Sequence, residues 1–314
     1  MLWGGFLAFV LLMLALDLGV FNKKAHAVGF KEAAIWSVVW VSMSLLFNVG
    51  IAWKFGATLG MEFLAGYLLE KSLSVDNVFV FIIIFSTLKI PGQYQHRVLF
   101  WGIIAALVLR AGMIFAGAAL LARFHWLIYV FGAFLIFTGI QLFRHWRSGA
   151  EESSWLIKLA YKYVPSTPKL DGQKFFIIEN GKRLATPLFM ALVLVELSDV
   201  IFALDSIPAI FAVTKDPFIV FTSNIFAILG LRSLYFLLAG MVDKFRFLKP
   251  SLAAVLVFVG TKMALADVVK APTWVSLVVI AVLLTMGVAA SLIWPPPPRP
   301  HLKPELIRAG EPQG

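Results

Sequence analysis

Runs of about 20 apolar residues follow one another along this 314-residue chain, and they decide what it can fold into. A helical run of that length matches the ~30 Å hydrocarbon core of a bilayer. The runs fall at roughly 2–20, 33–52, 62–86, 97–119, 125–143, 187–213, 218–241, 250–267 and 273–294. In hydrocarbon, every backbone N–H and C=O needs a partner within the chain, and an α-helix supplies it unaided. The sequence therefore predicts an all-α membrane protein with about nine transmembrane helices. Composition agrees: 61% of the residues are hydrophobic and 14% charged, where soluble domains carry about 25% charged.

The first run resembles a signal peptide, and Ala25-His26-Ala27 resembles a cleavage site. No positive residue precedes that run, however, and Lys23 and Lys24 follow it, which is the reverse of a signal peptide's polarity. It is expected to be a retained first span.

The lysines and arginines orient the spans. Of the 27 in the chain, 19 fall in alternate connections: after the first, third, fifth, seventh and ninth runs. The other connections hold only Lys54, Arg123, Lys215 and Lys270, and four further cations lie inside spans. This asymmetry follows the positive-inside rule, with the N-terminus outside and the C-terminus cytoplasmic. The net charge of +10 is thus an orientation signal and requires no nucleic acid.

One polytopic transmembrane domain is expected over 1–294, with a cytoplasmic loop at 144–186. In that loop Trp155 to Tyr161 suggests a short interfacial helix, and Phe175–Ile178, Asn180-Gly181 and Lys182–Ala185 suggest a hairpin. A solvated connector is the alternative. The tail 295–314 opens on Pro295 to Pro298, cannot continue a helix, and is expected to be disordered.

Against this apolar background, carboxylates stand where they are expensive. Glu70 and Asp76 fall within span three, and Glu196, Asp199 and Asp205 within span six. Each costs about 2.5–3.5 kcal/mol at a helix centre, so five cost on the order of 12–17 kcal/mol. Packing alone rarely retains that penalty, and intramembrane ionisable groups mark ion paths or proton relays. Glu196 and Asp199 share a helix face, whereas Asp199 and Asp205 lie about 240° apart on an ideal helix. Pro208 is expected to distort the helix and to free the carbonyl of Leu204 as a ligand.

The two acidic spans are also related to each other. Glu70-x₅-Asp76-Asn77 matches Asp199-x₅-Asp205-Ser206. Leu109-Arg110 matches Leu231-Arg232, and Leu135-Ile-Phe137-x-Gly139 matches Leu256-Val-Phe258-x-Gly260. Spans 3–5 and 6–8 read as duplicated three-helix units. Three is odd, so the second unit runs opposite to the first, a 3+3 inverted repeat of the kind that places an ion site at mid-membrane.

The candidate ligands are Glu70, Asp76, Glu196, Asp199 and Asp205, supported by Asn77, Ser206 and the Leu204 carbonyl. Arg110, Arg232 and Lys71 are candidate counter-charges or gating groups, packing support being the alternative for the arginines. All five histidines (26, 96, 125, 145, 301) lie at span ends or in loops, and the chain has no cysteine. A site built from oxygen alone suits Mn²⁺, Ca²⁺ or Mg²⁺ and excludes a thiolate site or a dithiol redox pair. No haem or flavin motif is evident, so an enzyme is not expected, and no resident cofactor is required.

The segments Glu-Lys-Ser-Leu-Ser-Val-Asp-Asn-Val-Phe-Val-Phe at 70–81 and Glu-Leu-Ser-Asp-Val-Ile-Phe-Ala-Leu-Asp-Ser-Ile-Pro-Ala at 196–209 resemble the TerC family, closest to its bacterial Alx branch. The likeness covers roughly residues 1–295. It implies a nine-span bacterial inner-membrane protein, named for tellurium resistance and linked to Mn²⁺ export, with its functional acids at Glu70, Asp76, Glu196, Asp199 and Asp205. The function this suggests is a secondary transporter exporting Mn²⁺, in exchange for protons. The alternative is a non-transporting membrane partner in tellurium, redox or pH stress, acting through loop 144–186. Oligomeric state is not legible.

Overall fold

A computed structural model describes residues 2–19, 29–148, 160–179, 181–239, 247–268 and 272–294. A helix lies within each apolar run. These are α1 (Leu2–Gly19), α2 (Phe30–Phe55), α3 (Ala57–Thr87), α4 (Gly92–Arg123) and α5 (Leu127–Ser148), then α6 (Pro187–Phe211), α7 (Pro217–Leu229), α8 (Leu231–Ala239), α9 (Leu248–Ala264) and α10 (Thr273–Ile293). Five are long and apolar enough to cross a membrane: α2, α4, α5, α6 and α10. A sixth arises if α7 and α8, bent by 40° at Gly230, form one broken span. The architecture is that of an all-α integral membrane protein.

The expected hairpin is present between α5 and α6. Strand β1 (Phe176–Glu179) pairs antiparallel with β2 (Lys182–Ala185), and Gly181 supplies the positive φ of +74° at the turn. The hairpin is seated by Phe176 against Phe189 of α6, with ring centroids 4.4 Å apart, and Arg183 covers Phe176 from outside. Of the interfacial helix expected at 155–161, residues up to 159 lie outside the described segments, while 160–163 are helical. The tail also lies outside them.

The core is aromatic at one end of the bundle, where Phe6 of α1, Phe47 of α2, Phe63 of α3 and Phe226 of α7 pack edge and face. The broken span α7–α8 runs through the middle, and every residue of α7 from Ile219 to Leu229 is buried. Asp216 starts it as an N-cap, accepting from the amide of Phe218 at 2.8 Å.

Helices α5 and α9 are packed so closely that side chains are excluded. A Cβ on Gly139 would lie 2.8 Å from the carbonyl oxygen of Ala253 and 3.1 Å from the amide of Val257. A Cβ on Gly260 would lie 2.7 Å from the carbonyl oxygen of Gly132 and 2.9 Å from the amide of Ile136. Small residues serve this way in membranes, where dispersion and close backbone approach replace the hydrophobic effect between helices. The pair is antiparallel, since rising numbers on α5 meet falling numbers on α9. Elsewhere α3 packs on α7, α4 packs on α6, and α3 and α6 meet each other.

Candidate ion site

Helices α3, α4 and α6 meet around one arginine. Arg110 is 1% exposed, although a guanidinium carries five donors and is charged at any physiological pH. Its Nε donates to Asp199 Oδ2 at 3.1 Å and its Nη2 to Asp199 Oδ1 at 2.7 Å, a bidentate clasp. Its Nη1 donates to Glu70 Oε1 and reaches Ser206 Oγ at 3.4 Å. Asn77 adds a bond from Nδ2 to Asp199 Oδ1 at 3.4 Å. The acids from two spans that are distant in sequence thus share one buried cation.

The clasp leaves oxygens over. Among the described residues, Glu70 Oε2 and Asn77 Oδ1 are buried with no hydrogen-bond partner, and so are both carboxylate oxygens of Glu196. Orphaned buried acceptors are rare and costly. One turn before Asp199, Glu196 lines a cavity of about 10 Å³ together with Asp199, Arg232, Phe81 and Gly102. That is room for about one water. Gly102 keeps this wall close, since a Cβ there would stand 3.3 Å from Glu196 Oε1, a tight contact.

The remaining candidates lie apart. Asp205 accepts from Thr138 of α5 at 3.1 Å and lines a cavity of about 240 Å³ with Leu204, Gln141 and Phe137. Helix α6 continues through Pro208 without a break, so the six-residue step keeps its ideal phase and Asp205 faces α5 while Asp199 faces Arg110. The distortion expected from Pro208 does not bring the two together, and half-exposed Leu204 sits with Asp205. Lys71 turns from Glu70 toward the broken span, its ammonium 3.5 Å from the carbonyl oxygen of Ala227 near the end of α7. Asp76 lies on α3 less than two turns beyond Glu70, and its side chain is outside the described parts of the structure. Among the described residues, no three acids or histidines converge as a metal cage.

Two features escaped the sequence reading. Thr138 is the variable residue inside the Phe137-x-Gly139 motif, and its polarity there was the available signal. At the bundle end away from the hairpin, Glu62, Thr214, Lys215, Asp216 and Lys262 line a vestibule of about 430 Å³, with Thr214 donating to Glu62. Glu62 sits in the second turn of α3, where span and boundary are hard to tell apart.

Comparison with known proteins shows the family. The model of the integral membrane protein TerC family matches residues 55–296, which takes in both acidic helices. The chain belongs to the TerC family. It is 67% identical over 294 residues to "Uncharacterized membrane protein STKORF319" of Myxococcus xanthus, covering 93% of this chain and 92% of that one. It is 49% identical over 296 residues to "Putative membrane-bound redox modulator Alx" of Escherichia coli K12, covering 91% and 92%. It is 45% identical over 294 residues to "Uncharacterized membrane protein" of Rickettsia bellii, covering 93% and 97%. No solved structure matches the chain. As a TerC-family member it is a multi-pass membrane protein with bacterial relatives, and the family model begins at residue 55, so α1 and most of α2 precede it.

Proposed function

We propose that the chain is a secondary transporter that exports a hard divalent cation, Mn²⁺ first among them, through a mid-membrane carboxylate site. The observation that carries the reading is Arg110, buried and held by Glu70 and Asp199. A cation fixed between acids of two helices is the stand-in expected when the transported cation is elsewhere. With all groups ionised, Glu70, Asp76, Glu196 and Asp199 carry two more charges than Arg110 and Arg232 neutralise. One divalent cation balances that excess. The unpartnered oxygens of Glu70, Asn77 and Glu196 are hard donors, as Mn²⁺, Mg²⁺ and Ca²⁺ require. Carboxylates that release protons as metal binds would couple efflux to proton entry.

The inverted-repeat reading, with α3–α5 as one unit and α6–α9 as the other, is supported by the reciprocity of α5 and α9. Gly139 meets the Ala253 carbonyl and the Val257 amide, while Gly260 meets the Gly132 carbonyl and the Ile136 amide. Shifting α5 onto α9 by the Gly139–Gly260 offset turns each pair into the other. The packing of α3 on α7 and of α4 on α6 exchanges in the same way. In this reading nine spans cross the bacterial inner membrane, with the N-terminus outside and the hairpin and tail cytoplasmic.

The test is Mn²⁺ content in manganese-loaded cells expressing the wild type or Glu70→Gln, Asp76→Asn, Asp199→Asn and Asp205→Asn. The wild type is expected to lower cellular Mn²⁺, and Glu70→Gln and Asp199→Asn to lose at least about tenfold of that efflux. Full efflux in both overturns the site. The E. coli relative's name favours a second reading, a membrane partner of redox proteins acting through loop 144–186. Replacing the hairpin by a neutral linker separates the two: a transporter keeps its flux, and a recruiting partner loses its phenotype.

A further inference from the structure

We infer that Arg110 and Arg232 hand the acidic site from one to the other as the protein changes its open end, so that each arginine locks one of two access states. This rests on the transporter reading above and adds to it the device that selects the state.

The repeat pairs Arg110 with Arg232 and Glu70 with Asp199. A two-fold exchange of the units therefore converts Arg110 clasped by Asp199 and Glu70 into Arg232 clasped by Glu70 and Asp199. The acids are the same two in both arrangements, and only the arginine changes. In this structure Arg110 holds them. Arg232 is 8% exposed and lines the cavity that Asp199 and Glu196 share. In the exchanged arrangement Arg232 would take the bidentate clasp on Glu70, whose Oε1 Arg110 holds here, so the two arginines compete for the same carboxylates.

The cavities have the asymmetry that a single access state requires. Toward the hairpin, among the described residues, the space beside Glu196 and Asp199 is only about 10 Å³. At the opposite end lie the vestibule of about 430 Å³ and a neighbouring cavity of about 210 Å³ lined by Ala118, Leu121 and His125. Arg110 in the clasp thus accompanies closure at the hairpin end. By the repeat offsets, exchange of the units carries the vestibule lining Glu62, Phe211 and Lys262 onto Ala191, Ile82 and Gln141, so the vestibule would close and the hairpin end would open beside Ala191.

The chain has no cysteine, so introduced cysteines report access without background. Ala191→Cys, buried in this structure, reports the hairpin end and Ala212→Cys the vestibule, each in the full-length protein in liposomes without metal, labelled with a small maleimide. Arg110→Gln is expected to raise labelling at position 191 at least about fivefold and to lower it at 212. Arg232→Gln is expected to do the opposite, or to leave the wild-type pattern. Arg110→Lys, which keeps the charge but not the bidentate clasp, should move labelling in the direction of Arg110→Gln and secures the test if the glutamine variant misfolds. Equal shifts in one direction from both arginines, or no shift from Arg110→Gln and Arg110→Lys, overturns the hand-off. That failure is distinct from failure of the transporter reading, which is decided by Mn²⁺ efflux in Glu70→Gln and Asp199→Asn with both arginines intact.

Discussion

Lys71 shows how a single residue's neighbours change its meaning. Beside Glu70 in sequence, it suggests a counter-charge for the acids. In the fold its ammonium instead approaches the Ala227 carbonyl, close to where the broken span turns at Gly230. A half-helix ends there with unsatisfied carbonyls and the negative end of its dipole, and a cation at that point is stabilising. Gly230 leaves the space for it, since a Cβ would fall 2.6 Å from Lys71 Nζ. Lys71→Met and Gly230→Ala should therefore each lower thermal stability in detergent, by about 0.5–2 kcal/mol for the lysine. The effects should not add, because both remove one contact. Fully additive losses would show that the glycine and the lysine act separately. The same distinction marks what was legible in the site. Buried charge at mid-span singled out Glu70, Asp199 and Arg110 from sequence alone. Which way Asp205 faces depends on how α6 is rotated against α5, and tertiary packing sets that rotation.

At the scale of elements, the helices were legible because each apolar run is long enough to bury its own backbone hydrogen bonds. Their partners were legible only where the repeat motif fell on a contact, as with Gly139 and Gly260. Those glycines carry a prediction. Backbone atoms stand within 3 Å of the Cβ that either would gain, and backbone cannot move aside cheaply. Gly139→Ala and Gly260→Ala should each destabilise the α5–α9 pair by about 1–3 kcal/mol, the usual range for overpacking. The exchange of contacts makes the two losses similar, and thermal unfolding monitored by detergent-resistant fluorescence measures both. A large loss from one and none from the other would contradict the two-fold relation. The break at Gly230 was not legible, because neither Pro nor a Gly pair announces it. The residue that meets the end of α7 before the break, Lys71 at 3.5 Å from the Ala227 carbonyl, is 156 residues away along the chain from Ala227.

For the whole molecule, the question is how helices that carry charge can cross a membrane. Helix α3 is excluded from the apolar spans by Glu62, Glu70, Lys71 and Asp76, yet Glu70 is wholly buried and its side chain meets arginine and not lipid. Composition measures a helix alone, whereas the bilayer meets only its outer face. Helix α9 is short at 17 residues, about 26 Å of rise, close to the thickness of a hydrocarbon core. In the proposed nine-span reading both are spans, and the charge asymmetry of the connections then places Lys54 and Lys215 on one side and Lys89 and Lys162 on the other. Single cysteines at these four positions, labelled in intact cells by an impermeant maleimide, should react at 54 and 215. Positions 89 and 162 should react only after the membrane is opened. Labelling of 54 and 89 from the same side would mean that α3 does not cross. The acids at Glu70 and Asp76 would then lie outside the bilayer, where burying Arg110 between Glu70 and Asp199 would have no transport role to explain it.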